Sequence, residues 1–150
     1  GSQLKVIWAV LCQSSVVDRY TINLSLFNII EEITVASTPP QEPPAGGSLG
    51  EGVPAIFELV TLWARSIQEV PERGYGRTRL IVPGDESQME QEYEVDLTQY
   101  LRLRHRMRIS GLPIRDQGTH RFVIDGRGES GEWAQMFEVP LRVVIQTQET

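Results

Sequence analysis

Two stretches near the middle of the chain alternate without a break. Met89, Gln91, Tyr93, Val95 and Leu97 are separated by Glu90, Glu92, Glu94 and Asp96; Leu101, Leu103, His105, Met107 and Ile109 are separated by Arg102, Arg104, Arg106 and Arg108. Successive side chains of a β-strand point to opposite faces, so a period of two sorts each stretch into a core face and a charged face. The pattern predicts two half-buried strands, one with a purely acidic outer face and one with a purely basic outer face.

Other stretches read the same way with less regularity. Leu4 to Leu11 is β-rich and apolar on both faces, which suits a covered strand. Gln13 to Tyr20 is a polar break. Ile22, Leu24 and Leu26 then alternate with Thr21, Asn23 and Ser25 in a strand continuing to Val35, and the paired apolar residues at Leu26-Phe27 and Ile29-Ile30 suggest a bulge or double cover. Ala55 to Ile67 carries Phe57, Leu59 and Trp63 on one face and Ile56, Val60, Leu62 and Ala64 on the other; its β-branched and aromatic content favours strand over helix. Arg77 to Val82 ends at the turn Pro83-Gly84-Asp85-Glu86, Gly118 to Ile124 precedes a hairpin loop at Asp125 to Gly131, and the last strand puts Phe137, Val139, Leu141, Val143 and Ile145 on one face. Pro140 within it predicts an edge or bulge position.

Between 36 and 54 the prolines and glycines (Pro39, Pro40, Pro43, Pro44, Pro54, Gly46, Gly47, Gly50, Gly52) support neither helix nor ladder, which predicts a long loop. Pro40-Gln41-Glu42-Pro43 has the PxxP form, and a semi-rigid connector is its simpler reading. Gly1-Ser2 reads as the remnant of a cleaved tag, leaving one domain over 3–150. About eight short strands with turn signals at sandwich spacing predict an all-β fold, an antiparallel two-sheet β-sandwich, with a β-barrel as the alternative.

The charged strands are separated only by Thr98-Gln99-Tyr100. Joined as a hairpin, their charges would form a cross-strand ladder, each pair contributing roughly 0.2–1 kcal/mol. If they are not so joined, Arg102, Arg104, Arg106 and Arg108 form a face for an acidic partner or a second copy of the chain.

Gly118-Thr119-His120-Arg121-Phe122-Val123-Ile124 and Val139-Pro140-Leu141-Arg142-Val143 resemble the last two strands of immunoglobulin-like and C2-like sandwiches. His120 stands where those domains often carry Tyr. Val6 to Cys12, followed by Leu24 to Ile33, is similar to short stand-alone bacterial proteins of unassigned function. The resemblance implies a bacterial β-sandwich and no activity.

Composition narrows the function classes. At 150 residues, 40% hydrophobic and 23% charged, the chain is long enough to bury a core without disulfide or metal. A net charge of −6 argues against nucleic acid as partner. No apolar run approaches the roughly 18 residues of a membrane span. Cys12 is the only cysteine, so no intrachain disulfide forms, and a cytoplasmic location is expected. In an apolar strand it should be an inert thiol.

Catalytic chemistry finds little to work with. Nucleophilic catalysis needs a nucleophile with a positioned base, and of the two histidines His105 falls on an apolar strand face. Two histidines and one cysteine do not make a zinc or iron site. Asp85, Glu86 and Asp116, or Asp125, Glu129 and Glu132, are expected to be solvated loop acids and not calcium ligands. Gly126-Arg127-Gly128 and Gly74-Tyr75-Gly76 lack the spacing of phosphate loops. No cofactor is expected.

The reading is a non-enzymatic protein interaction or assembly module whose partner is another protein or a second copy. A small-ligand or carbohydrate-binding sandwich is the alternative, with Tyr75 and Trp133 as stacking aromatics; an enzyme of unknown class comes third. Sandwiches host all three, so fold does not decide.

Overall fold

The computed structural model describes residues 4–37, 53–112 and 114–147. These form nine strands: β1 (Leu4–Val17), β2 (Leu24–Ile29), β3 (Glu32–Ser37), β4 (Val53–Arg65), β5 (Glu72–Ile81), β6 (Ser87–Leu97), β7 (Arg102–Leu112), β8 (Gly118–Gly128) and β9 (Ala134–Thr147). One sheet has the order β2-β1-β4-β7 and the other β3-β9-β8-β5-β6; neither closes into a barrel, and the described residues contain no helix. The expected two-sheet all-β sandwich is therefore the architecture. Neighbouring strands are antiparallel with one exception, β3 beside β9, which is parallel. Of the loop expected over 36–54, residues 38–52 with the PxxP segment lie outside the described residues, as do Gly1 and Ser2, while its ends are strand: Ala36 and Ser37 close β3, and Val53 and Pro54 open β4.

The inner faces meet in one core. β4 sends Phe57, Leu59 and Trp63 inward, β8 supplies Phe122 and Ile124, and β9 supplies Val139, Leu141 and Val143, all buried. Trp63 is fully covered, and it fits because Gly76 and Gly126 lie opposite it. A Cβ at Gly76 would stand 2.8 Å from Trp63 Cζ2, and one at Gly126 would stand 2.9 Å from Cζ3. Tyr93 completes the wall: the Trp63 indole N–H donates to its hydroxyl at 3.1 Å, and the rings meet edge to face at 6.2 Å.

Several local expectations are corrected. The polar break at Gln13–Tyr20 is mostly strand, because β1 runs on to Val17 paired with β2. Backbone pairing satisfies a polar segment as well as an apolar one. The true turn is at 18–23, where Asp18 Oδ1 accepts the Tyr20 and Thr21 amides at 2.8 and 2.7 Å and Ile22 takes φ 62°. The single strand expected from Ile22 to Val35 is two strands: the chain leaves the first sheet at Ile30 and enters the second at Glu32, with Asn28 at φ 51°. Pro140 is in an interior strand, yet β3 pairs with β9 only from Arg142 onward, so one side of β9 is locally free there.

Candidate interaction face

The two charged strands do not form the hairpin that their spacing allows. β6 and β7 are not hydrogen-bonded neighbours: β6 pairs only with β5 and closes one sheet, while β7 pairs only with β4 and closes the other. Residues 98–101 are a corner between sheets, not a hairpin turn. Arg65 holds this corner, its guanidinium donating to the carbonyls of Leu97 (2.8 Å) and Thr98 (3.2 Å). Asp96 braces it by accepting the Thr98 hydroxyl at 2.6 Å and amide at 3.0 Å, and those bonds hold its carboxyl below the usual carboxylate range.

The acids of β6 therefore meet a different set of arginines. Across the β5–β6 ladder Arg73 faces Asp96, Tyr75 faces Glu94, Arg77 faces Glu92 and Arg79 faces Glu90. Arg73 pairs with Glu94 and Asp96 at 3.4 and 3.2 Å, and Arg77 reaches Glu90 at 3.4 Å. On β8, Asp125 is not a loop acid as expected but a buried strand residue, gripped by Arg77 at 2.9 Å and Arg79 at 2.7 Å.

The arginines of β7 have only Glu58 as a carboxylate neighbour in their ladder, opposite Arg108. Arg102, Arg104, Arg106 and Arg108 are all exposed on the outer face of the first sheet, and none makes an ion pair among the described residues. Their neighbours across β4 are Ala64, Leu62, Val60 and Glu58. Among the described residues Arg106 alone of the four makes a side-chain hydrogen bond, donating at 3.2 Å to the Ser15 hydroxyl, which in turn donates to Glu58. Through Ser15 the second half of β1 lies over this face. Between the β1–β2 turn and the sheet is an open cleft of about 580 Å³, with Trp8 and Leu62 as its apolar lining and Arg102 and Arg104 as its charged one. Arg102 also borders a smaller depression of about 310 Å³ with Lys5 and Arg65, so the basic character continues past the end of β7.

Tyr75 and Trp133 do come together, on the outer face of the other sheet, but under guanidinium groups. Arg127 lies 4.4 Å from the Tyr75 ring and 5.1 Å from that of Trp133, and Arg77 lies 4.4 Å from Trp133. Both side chains are half-buried in this cation–π stack.

His105 and Cys12 behave as core residues. The His105 ring stacks flat on Tyr93 with centroids 3.4 Å apart, and burial pushes its pKa down to about 4 and that of Tyr93 up to about 12. Cys12 is fully buried and burial raises its thiol pKa. Among the described residues no three His, Cys, Asp or Glu side chains converge as metal ligands, and no helix is long and apolar enough to cross a membrane.

His105 makes stability depend on pH in a defined window. Its folded pKa of about 4 lies below the ordinary 6.5, so between those values the unfolded chain binds a proton that the folded chain refuses. The stability tied to the neutral ring is complete above pH 6.5 and falls as pH drops toward 4. His105→Phe keeps a ring on Tyr93 and should flatten this part of the profile. Urea midpoints at stepped pH for parent and variant check it; identical slopes between pH 6.5 and 4 would refute the assignment.

Sequence reasoning missed Arg73, Arg77 and Arg79 as the partners of the β6 acids and placed Asp125 in a loop. A signal was present: Arg73, Tyr75, Arg77 and Arg79 are themselves spaced by two. It was masked because the alternate positions include Gly74 and Gly76, which face the core without an apolar side chain. No protein-family model matches the chain, and no curated protein matches it either.

Proposed function

We propose that this protein is a non-enzymatic interaction or assembly module that presents the arginine row of β7 to an acidic protein surface. One observation carries the reading. The chain has 20 acidic and 14 basic residues, so carboxylates are not scarce, yet among the described residues the four β7 arginines stand exposed without an ion pair while five others, Arg73, Arg77, Arg79, Arg121 and Arg142, are paired. Four like charges about 7 Å apart along a strand repel one another. An acidic partner removes that repulsion and gains steering at long range.

The reading takes the module to be cytoplasmic, on its single thiol, and to belong with the bacterial immunoglobulin-like or C2-like sandwiches that its motifs resemble. A second reading, binding of a small polar ligand, draws support from the cleft of Trp8, Leu62, Arg102 and Arg104 and not from Tyr75 and Trp133, whose rings are stacked under arginines.

Fluorescence anisotropy of a labelled oligo-glutamate peptide tests the proposal. Parent protein should bind it, more weakly as salt rises, and Arg104→Glu with Arg106→Glu should weaken binding at least about tenfold, roughly 1.4 kcal/mol. Absent binding, or binding untouched by the double variant, would count against the arginine row. Saturable binding of a small carboxylated sugar without oligo-glutamate binding would favour the second reading.

A further inference from the structure

We propose that the acidic partner is a second copy of this chain, joined edge to edge through β6 and β7; this rests on the reading of the arginine row as an interface. Both strands are hydrogen-bonded on one side only. They lie at the same edge of the sandwich, joined by the corner at 98–101 and bridged inside by the stack of Tyr93 on His105. One molecule thus presents two free strand edges side by side, one acidic and one basic.

The stack also sets the level of each residue along that edge. The corner makes β6 and β7 run in opposite directions, and Tyr93 is level with His105. Counting outward from that pair puts Asp96 level with Arg102, Glu94 with Arg104, Glu92 with Arg106 and Glu90 with Arg108. Within one chain these partners cannot meet, because they are on the two opposite outer faces of the sandwich, and packed sheets are about 10 Å apart.

A half-turn about an axis along the strands, just beyond this edge, removes the obstacle. It places β6 of the second copy beside β7 of the first, antiparallel and in one continuous sheet, and does the same for the reciprocal pair in the other sheet. The rotation keeps levels unchanged, so all four arginines face all four acids, twice over. The contact is isologous and closed, and it covers both free edges. The half-buried Met89, Tyr93 and Leu103 at this edge would become interior. Existing contacts of the acids do not prevent this: Glu92 is exposed and makes no ion pair among the described residues, and a carboxylate accepts from more than one guanidinium.

Sedimentation velocity on the full chain tests the pairing by charge exchange. Parent protein should dimerise, and high salt or excess oligo-glutamate should dissociate it. Arg104→Glu with Arg106→Glu, and separately Glu92→Arg with Glu94→Arg, should each be monomeric, with dissociation constants raised at least about tenfold. Mixed in equal amounts they should form a heterodimer, since both ladders are then complementary again. The single variants Arg106→Glu and Glu92→Arg, facing each other in the proposed register, repeat the test should either double variant fail to fold. A parent that stays monomeric while still binding oligo-glutamate would overturn the self-pairing and leave the proposed function standing; a monomer that binds no oligo-glutamate would overturn both. A dimer that survives in every variant would place the contact elsewhere, such as on β2 with its exposed Phe27 and Ile29, and would overturn the β6–β7 pairing.

Discussion

Trp63→Ala is expected to lower stability by about 3–5 kcal/mol, the range for deleting a large buried aromatic. The ring is fully covered, and the sheet opposite is built around it by Gly76 and Gly126. Backbone glycines cannot move in to fill the space, so a cavity remains. The change also strips the Tyr93 hydroxyl of its indole donor. Trp63→Phe should cost less, because it keeps most of the packing and loses mainly the hydrogen bond. Urea denaturation followed by circular dichroism measures both; a loss under about 1 kcal/mol for the alanine variant would show that the core closes without the indole.

Asp125→Ala should cost about 3 kcal/mol, near the low end for breaking a buried ion pair because its partners keep some water. The Asp125 side chain is 3% exposed, and its carboxylate receives Arg77 Nε at 2.9 Å and Arg79 Nε and Nη2 at 2.7 and 3.2 Å. Without it two guanidiniums converge on an apolar methyl, and Arg77 loses the anchor that helps hold it over Trp133. Asp125→Asn keeps an oxygen acceptor and should fall between parent and alanine. Thermal melts of the three proteins decide the point; equal melting temperatures for parent and Asp125→Ala would mean that the carboxylate does not hold this face together.

Strand positions were legible where apolar and polar residues alternate, as in β6, β7 and the inner face of β9. Sheet membership was not. Three residues between two alternating strands fit a hairpin and a corner between sheets equally well, and the choice is made by Arg65, which comes from β4 and captures the Leu97 and Thr98 carbonyls. No local pattern around Thr98 announces that distant side chain. The same holds for β5, whose arginines are the true partners of the β6 acids. Its core-facing Gly74 and Gly76 leave no hydrophobic rhythm, because the space that apolar side chains would take is filled by Leu4 and Trp63 from the opposite sheet. The arginine row itself was visible from spacing alone; that it forms no ion pair among the described residues became visible only with the topology.

In the proposed function the arginines of β5 hold the fold while those of β7 serve a partner. Urea unfolding and oligo-glutamate binding, measured on Arg77→Gln and on Arg104→Gln with Arg106→Gln in protein dilute enough to be monomeric, separate these roles most directly. This division of roles predicts that Arg77→Gln is destabilised and binds like the parent, while the β7 double variant unfolds within about 1 kcal/mol of the parent and loses binding. A destabilised β7 variant with binding intact would contradict it.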